Sequence, residues 1–301
     1  MFDAPDPTPP SDDPVAFLAG REGALAVITG TEGASYKPVG TLMAFGADGA
    51  RTGSLSSGCV EGALAAEAEV ALADGRPRTL RYGRGSPFID VTLPCGAGLD
   101  VSVLPRPERA VLRESAALWR ARRAHELFLD PARGTVSLSG GPFRVRRTPP
   151  LRLVLFGRGP ETVALAQLAR GGGLTVEVLS PDEEVLAAVG GTALSVPTAL
   201  PPFEADPQTA LVTLFHDHDW EPAILESALA GPAFWVGAQG SARAQDARRA
   251  ALAARGVTAD ALARLRGPIG LIPSARDPLT LAVSVLAEAM AAYKDRFGAH
   301  P

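Results

Sequence analysis

Residues 151–172 read LRLVLFGRGPETVALAQLARGG, an apolar run followed by a glycine turn and a stretch rich in alanine and leucine. A second apolar run, LTVEVL at 174–179, is followed by the acidic segment SPDEE at 180–184. Strand, helix and strand in this order predict a parallel sheet with helices on both faces. Residues 210–215 and 234–236 continue the pattern as buried strands. The second half of the chain is therefore predicted to be a Rossmann-like, doubly wound domain.

Two further helices are predicted in this half. Residues 241–255 form one, which Gly256 closes as a C-cap. In the other, Asp277 caps the amino end and Pro278 suits the first turn. The segment LTLAVSVLAEAMAAY at 279–293 then places apolar residues on one face. The simplest role of that face is to pack against the rest of the protein.

The first half of the chain has the pattern of short strands. Two apolar runs before Leu55 flank Asp48-Gly49 and predict a hairpin. A helix is expected to start at Ser57 or Gly58 and to end near Asp74-Gly75. The remaining predicted elements are strands at 88–93 and 99–104, a helix at 109–123, and short strands within 126–147.

Thr148-Pro149-Pro150 is the predicted domain boundary. The chain is thus expected to hold a mobile tail over 1–14, a domain of mixed α/β structure with short strands over 15–149, and the Rossmann-like doubly wound parallel sheet over 150–301. The fold class is α/β.

Composition restricts the function classes. The chain has 301 residues, of which 46% are hydrophobic and 21% charged, with a net charge of −4. These values argue against a disordered chain and against a general binder of nucleic acid or anionic membranes. All but two of the 29 basic residues are arginines, which suggests a bacterial coding bias. The uncharged residues 185–203 contain Pro197, Pro201 and Pro202, so a strand–loop region is predicted there and not a membrane span.

The first residues lack a signal peptide pattern, which predicts a cytoplasmic protein with two free thiols, Cys59 and Cys95. If the helix starts at Ser57 or Gly58, Cys59 lies in its first turn, where N–H groups and the helix dipole stabilise a thiolate. A thiolate there would be a nucleophile or a ligand for a soft metal.

Glu61, two residues after Cys59, would cap the helix or accept a hydrogen bond from a ligand. A buried structural cysteine is the equally weighted alternative at position 59, and the same ambiguity applies to Cys95. A protease-type nucleophile is disfavoured, because no histidine is identified as its partner.

Gly157-Arg158-Gly159 begins a dinucleotide fingerprint between a strand and a helix. The match is partial, because Thr162 stands where the third glycine is expected and Glu161 adds a negative charge near the pyrophosphate position. Rossmann-like topology is therefore better supported than nicotinamide binding.

Two more segments at the ends of strands carry candidate ligand groups. His216-Asp217-His218-Asp219 follows a predicted strand, and its two histidines share one face of an extended chain. Metal ligation by two histidines alone is less expected than a polar loop, and a ligand role stays open. The segment GAQGSAR at 237–243 places Arg243 at the start of a helix, where it would hold a phosphate or point to solvent.

Several of these motifs, taken together and in this order, resemble the XdhC/CoxI family of accessory proteins that mature xanthine and carbon monoxide dehydrogenases. The resemblance spans residues 23–293. Its marks are SSGCVE at 56–61, LPCGAG at 93–98, HDHD at 216–219, GSAR at 240–243, RGPIGL at 266–271 and SVLAEAMAAY at 284–293. The chain departs from the family pattern at Arg158 and Pro160, where the family reads GAGH, and in SSGC, where it reads SGGC.

The resemblance implies a carrier of molybdenum cofactor, in its molybdopterin form, and not a turnover enzyme. It implies that Cys59 is the thiolate contact to molybdenum, with Cys95 as a second contact. Contacts to the pterin and phosphate are implied for Gly157, Arg158, Gly159, His216, Asp217 and Arg243.

The implied partners are a cysteine desulfurase, which installs the terminal sulfido ligand, and the apo xanthine dehydrogenase or related molybdenum hydroxylase that receives the cofactor. Neither nucleic acid nor a membrane is expected as a partner. A homodimer through the apolar C-terminal helix is an open alternative to a monomer. The competing functions are an NAD(P)-dependent oxidoreductase that uses the Rossmann-like half, and a scaffold that carries no cofactor.

Overall fold

The structure is a computed structural model that describes residues 13–33, 35, 37–56, 58, 60–86, 96–215 and 219–298. The chain divides into two compact units, Met1–Pro149 and Pro150–His300. The predicted α/β class, with a Rossmann-like second half, is confirmed.

Unit 1 is built on antiparallel strands. Its described strands are β1 (Gly23–Glu32), β2 (Leu42–Gly46), β3 (Arg51–Gly53), β4 (Arg78–Gly83), β5 (Gly98–Pro105), β6 (His125–Asp130), β7 (Thr135–Ser137) and β8 (Phe143–Arg147). Its described helices are α1 (Pro14–Ala19), α2 (Glu61–Asp74) and α3 (Arg109–Arg120). One sheet has the order β3-β2-β1-β5-β4 and the other has the order β7-β6-β8. The predicted hairpin at Asp48-Gly49 joins β2 to β3.

The central strand β1 separates two cores. Ala24, Ala26 and Ile28 pack in a core with residues of α2, whereas Leu25 and Val27 pack in a core with residues of α1, α3 and β6. Because successive side chains of a strand point to opposite faces, an uninterrupted apolar run is required where both faces are covered. The composition of β1 thus fixes its central place in the sheet.

Unit 2 alternates strands with helices. Its described strands are β9 (Arg152–Gly157), β10 (Thr175–Ser180), β11 (Thr192–Ala193), β12 (Thr209–Leu214), β13 (Trp235–Ala238) and β14 (Leu265–Arg266). Its described helices are α4 (Gly159–Gly171), α5 (Glu183–Val189), α6 (Glu221–Ala230), α7 (Ala242–Ala254), α8 (Ala259–Leu262) and α9 (Pro278–Phe297).

These strands pair in parallel in the order β11-β10-β9-β12-β13-β14. Leu153 and Leu155 of β9 face a core that includes residues of α4 and α9, and Val154 and Phe156 face a core that includes residues of α6 and α7. This is the strand order of a dinucleotide-binding Rossmann fold, in which the order reverses between the strands here named β9 and β12.

Some predicted boundaries differ from the structure. The strand–loop prediction for 185–203 is wrong at its start, because Asp182 caps α5 by accepting a hydrogen bond from Glu184 N at 2.9 Å. Asp13 and Pro14, assigned to the tail, instead begin α1, since Asp13 caps that helix and pairs with the buried Arg147 at 2.8 Å. The rest of the predicted tail and the predicted strand at 88–93 lie outside the described residues.

Among the described residues, no helix combines the length and the apolar composition that a membrane span requires.

Candidate functional site

Glu61, the acidic residue of the SSGCVE motif, is buried at the first position of α2. Its Oε1 accepts hydrogen bonds from Ser54 Oγ at 2.8 Å, Leu55 N at 3.2 Å and Ser56 N at 2.8 Å. Its Oε2 accepts from Ser56 Oγ at 2.6 Å and from Val60 N at 3.2 Å. One carboxylate thus holds the segment that leads into α2. Within the described residues, the carboxylate of Glu61 is thus used to position the motif.

The surroundings of Glu61 favour its ionised form. Burial alone would raise the pKa of this carboxyl, but hydrogen bonds from the side chain and backbone of Ser56 and from Ser54 outweigh burial. Together they lower the pKa of Glu61 from 4.5 to about 2. The negative charge at this position is therefore permanent under ordinary conditions.

The helix does not begin where the sequence predicts. Val60 is the N-cap of α2, so the predicted start at Ser57 or Gly58 is wrong, and position 59 precedes the helix in the chain. Gly58 has φ +96°, a conformation that does not continue into a right-handed helix. Cys59 itself lies outside the described residues. The predicted place of position 59 within the first turn of α2 is therefore wrong, because that turn begins at Glu61.

The second cysteine motif, LPCGAG, joins the described structure at its carboxyl end. Cys95 lies outside the described residues, and β5 begins at Gly98 beside β4. Arg84 N donates to Ala97 O at 3.0 Å. A Cβ added at Gly98 would lie 2.5 Å from Arg81 Nη2. The same Cβ would lie 3.0 Å from the backbone oxygen of Arg84, so a side chain at Gly98 would have to displace both the Arg81 guanidinium and this backbone.

In unit 2 the candidate residues follow three adjacent strands. Gly157-Arg158-Gly159 follows the body of β9, the HDHD segment follows β12, and the loop that contains Gln239 and Arg243 follows β13. Parallel strands end at one edge of the sheet, about 4.8 Å apart from neighbour to neighbour. The topology therefore places these three loops side by side at the point where the strand order reverses, which is where doubly wound folds bind ligands.

The turn after β9 is tight. A Cβ at Gly157 would lie 2.4 Å from Thr162 Oγ1 and 2.8 Å from Leu214 Cβ. Gly159 has φ +68°, and the buried Thr162 Oγ1 donates to Arg158 O at 2.9 Å. Thr162 thus closes the turn from within the helix, in place of the third glycine of a dinucleotide fingerprint.

The same turn is poorly suited to a pyrophosphate. Gly159 N donates to Asp182 Oδ2 at 3.4 Å, Pro160 has no N–H to offer, and Glu161 adds a carboxylate in the first turn of α4. In a dinucleotide site, an acidic residue after the second strand would instead contact a ribose. The carboxylate occupies one backbone donor at this helix amino end and the proline removes another, so fewer donors remain for a phosphate.

Arg158 is exposed and reaches toward the next loop. Its guanidinium carbon lies 5.9 Å from the centroid of the Trp220 ring. Trp220 in turn stacks on Phe215, with ring centroids 6.1 Å apart. These two buried aromatic residues bracket the HDHD segment, of which His216, Asp217 and His218 lie outside the described residues. The ends of this segment are thus fixed by an aromatic pair.

A buried ion pair lies under the loops that follow β12 and β13. Arg248 of α7 donates to both carboxylate oxygens of Glu221, from Nη2 at 2.9 Å to Oε1 and from Nε at 3.1 Å to Oε2. Arg248 Nη1 donates to Gln245 Oε1 at 2.7 Å, and Nη2 donates to Gln239 O at 2.8 Å. Sequence reasoning missed this network, although a glutamate in the first turn after HDHD and an arginine two turns after the GAQG loop were visible signals.

Two side chains of the loop after β13 differ in their environments. Arg243 is exposed in the first turn of α7, and within the described ranges it forms no ion pair. The helix is capped by Ser241, whose Oγ accepts a hydrogen bond from Ala244 N at 3.2 Å. Gln239 Oε1 is buried and has no hydrogen-bond partner in the part of the chain that the structure describes.

Over the described residues, no group of three or more His, Cys, Asp or Glu side chains is arranged to hold a metal ion. The two histidines of HDHD are outside that set.

Comparisons with known proteins match both units. Residues 16–83 match the XdhC and CoxI family, and residues 153–289 match the XdhC Rossmann domain. The chain is 32% identical over 282 residues to the molybdenum cofactor insertion chaperone PaoD of Escherichia coli, a match that covers 91% of this chain and 84% of PaoD.

Two further similarities span nearly the whole chain. A Bacillus subtilis protein described as a probable xanthine dehydrogenase subunit is 27% identical over 312 residues, covering 89% of this chain and 92% of that protein. A crystal structure described as a xanthine dehydrogenase from Bacillus halodurans has the same fold, with a TM-score of 0.72 and 22% identity, and the match covers 96% and 98% of the two chains. This chain therefore belongs to the XdhC and CoxI family.

Proposed function

We propose that this chain is a molybdenum cofactor chaperone. It holds the cofactor while a cysteine desulfurase installs the terminal sulfido ligand, and it then inserts the cofactor into an apo xanthine dehydrogenase or a related molybdenum hydroxylase. The observation that carries the proposal is the similarity to PaoD, a molybdenum cofactor insertion chaperone, over 91% of this chain. The cofactor is cargo here, and the residues of the carrier bind and orient it.

The edge of the sheet in unit 2 fits the pterin and phosphate parts of such a cargo. Arg158 and Arg243 place exposed guanidinium groups after β9 and after β13. Guanidinium groups bind phosphate through paired donors. The unpartnered Gln239 Oε1 at the same edge is a buried acceptor, and a pterin carries amino and ring N–H donors that can satisfy it. We assign His216 and Asp217, between these loops in the sheet order, to the same contact.

The turn Gly157-Arg158-Gly159 contributes to this contact through Arg158. The N–H of Gly159 already donates to Asp182, so we assign the anion contact of this turn to the exposed guanidinium of Arg158. The hydrogen bond between Gly159 and Asp182 also counts against the oxidoreductase alternative, which requires the backbone of the turn to bind a pyrophosphate.

In unit 1 we assign Cys59 as the thiolate contact to molybdenum, with Cys95 as a second contact. Molybdenum with sulfur ligands is a soft centre that favours a thiolate. Glu61 supports this contact as a positioning residue, because its carboxylate holds the backbone of Leu55, Ser56 and Val60 on either side of the SSGC motif. We therefore expect cofactor retention to depend on the ionised Glu61.

The test is cofactor retention. Purified apo-protein is mixed with molybdenum cofactor, bound and free cofactor are separated by gel filtration, and the retained pterin is quantified. We expect about one cofactor per chain for the parent protein, loss of retention in Cys59→Ala, and a smaller loss in Cys95→Ala. Equal retention by the parent and Cys59→Ala would refute the cysteine assignment, and no retention by the parent would refute the carrier function.

Two arginine variants test the proposed phosphate contact of unit 2 in the same assay. Arg243→Ala removes an exposed guanidinium from the start of α7, and Arg296→Ala removes one from the last turn of α9 as the matched control. We expect at least tenfold weaker retention for the first variant and parent-like retention for the second. Equal values for both variants would refute the phosphate contact. Binding of the dehydrogenase by a chain that retains no cofactor would favour the scaffold alternative.

A further inference from the structure

A buried arginine of α7 joins the loops that follow β12 and β13. The side chain of Arg248 is 6% exposed, and its Nη2 donates to Glu221 Oε1 at 2.9 Å and to Gln239 O at 2.8 Å. Glu221 follows closely after the HDHD segment, which itself follows β12, and Gln239 is the first residue after β13. One guanidinium thus connects both loops that carry candidate ligand groups.

The turn after β14 belongs to the same cluster. Arg248 Nη1 donates to Gln245 Oε1 at 2.7 Å, and a Cβ added at Gly267 would collide with that oxygen. Gly267 follows β14 directly and belongs to the RGPIGL motif at 266–271. Through Gln245 the arginine therefore reaches a third loop at this edge of the sheet.

The loop after β13 lies directly against the guanidinium. Gly240 has φ +141°, and a Cβ added there would lie 3.4 Å from Arg248 Nη2. Gln239 N donates to Thr213 O of β12 at 3.0 Å. Both backbone polar groups of Gln239 are therefore fixed, the N–H by β12 and the carbonyl by Arg248. Its side-chain Oε1, which is buried without a hydrogen-bond partner in the described ranges, extends from this fixed backbone.

We propose that the ion pair of Arg248 and Glu221 positions the loops after β12 and β13 for the cargo. An ion pair at this depth often stabilises a fold no more than two apolar side chains do, because both charges lose their hydration. What the ion pair adds is direction, since the planar guanidinium holds its acceptors at set distances and angles. A loop that is already in its bound conformation loses less conformational entropy when the ligand binds. The inference rests on the carrier function proposed above and adds the residues that hold its binding loops in place.

The test replaces the ion pair with an apolar pair. Arg248→Met/Glu221→Leu keeps two buried side chains but removes the donor to Gln239 O. The matched control is Val285→Ala, since Val285 is 1% exposed in the core on the other face of the sheet. Both variants enter the cofactor retention assay under conditions where circular dichroism shows the parent fold. We expect about tenfold weaker retention for the double variant and parent-like retention for Val285→Ala. Equal retention by the two variants overturns the inference.

Arg248→Lys is a milder second variant. It keeps a positive charge beside Glu221 but replaces three donor nitrogens with one, so that Gln239 O and Gln245 Oε1 compete for the same ammonium. We expect its retention to lie between the values of the parent and the double variant. If the apolar pair does not fold, parent-like retention by Arg248→Lys overturns the inference.

Amide hydrogen exchange of the cofactor-free proteins separates this inference from the proposed function. We expect the Gln239 amide to exchange about tenfold faster in the double variant than in Val285→Ala, because the guanidinium no longer holds the loop after β13. Equal exchange rates overturn the inference, whether or not the parent retains cofactor. A parent that retains no cofactor refutes the carrier function, and the exchange rates alone then decide whether the ion pair positions the loop.

Discussion

Glu61→Gln is expected to destabilise unit 1 in a pH-dependent manner. The substitution keeps the size of the side chain but replaces a charged acceptor of five hydrogen bonds with a neutral amide. The pKa of Glu61 is lowered from 4.5 to about 2, and each unit corresponds to about 1.4 kcal/mol. The ionised carboxylate therefore stabilises unit 1 by about 3 kcal/mol at neutral pH.

The direction of the pH dependence follows from the lowered pKa of Glu61. A carboxyl with a folded-state pKa below its unfolded-state pKa stabilises the fold fully above about pH 4.5. That stabilisation is lost as the pH falls from 4.5 toward 2, by up to about 1.4 kcal/mol per pH unit. The difference in the free energy of unfolding between the parent and Glu61→Gln is therefore expected to shrink over this range.

Urea denaturation at pH 7, 4.5, 3.5 and 3 measures this difference. Trp119 in α3 reports on unit 1 when Trp220 and Trp235 are replaced by phenylalanine. Glu69→Gln, on an exposed position of the same helix, is the matched control and is expected to change the free energy of unfolding by less than about 0.5 kcal/mol. Equal losses for the two variants at pH 7, or a difference that does not change with pH, would refute the role assigned to Glu61.

Three further perturbations follow from the structure. Arg248→Met removes the guanidinium that pairs with the buried Glu221 carboxylate and is expected to lower the free energy of unfolding by about 3–5 kcal/mol in urea denaturation. Adding Glu221→Gln should restore part of that loss, and an additive double-mutant cycle would contradict the ion pair. In Gly157→Ala the added methyl group would clash with Thr162 and Leu214, which is expected to lower the free energy of unfolding by up to about 3 kcal/mol. Gly159→Ala is expected to lower it by about 1 kcal/mol, because φ is positive at that position. A lower urea midpoint for Gly159→Ala than for Gly157→Ala would contradict the tight turn. Burial, followed by the charge of Glu67, raises the pKa of Tyr82 to about 12, so the Tyr82 contribution to stability is full below pH 10 and lost as the pH rises through 12. Tyr82→Phe should remove this loss of stability in urea titrations at alkaline pH. An equal loss in the parent and in Tyr82→Phe would contradict the role assigned to Tyr82.

The sequence predicts the strands and helices whose signals lie within a few consecutive residues, such as an apolar run or a helix cap. The apolar runs of β9 and β12, the second broken only by Thr213, predict strands buried on both faces, and both lie at the centre of the parallel sheet. Asp277 and Pro278 predict the start of α9, and Asp277 Oδ1 accepts a hydrogen bond from Thr280 N at 2.8 Å. These signals lie within short segments, so one sequence is enough to predict the elements that they mark.

Long-range pairing could not be predicted in the same way. The start of α2 is displaced because the Glu61 carboxylate binds backbone groups up to six residues earlier in the chain. The contact between Gly159 and Asp182 joins residues that are 23 positions apart, and the ion pair of Glu221 with Arg248 joins residues that are 27 positions apart. Each of these side chains has several acceptable partners in the sequence, and only the folded topology selects one.

The contact of Asp182 with the turn after β9 has a consequence for selectivity. A protein with this strand order presents the place where NAD and related dinucleotides bind. The carrier function that we propose would fail if such a compound filled this place. Here the chain places its own carboxylate on the N–H of Gly159 and has a proline in the first turn of α4. A dinucleotide would have to displace the Asp182 carboxylate and would still lack the donor that Pro160 removes. We therefore expect the Rossmann architecture to serve as a scaffold here and to bind the dinucleotides common to that architecture weakly.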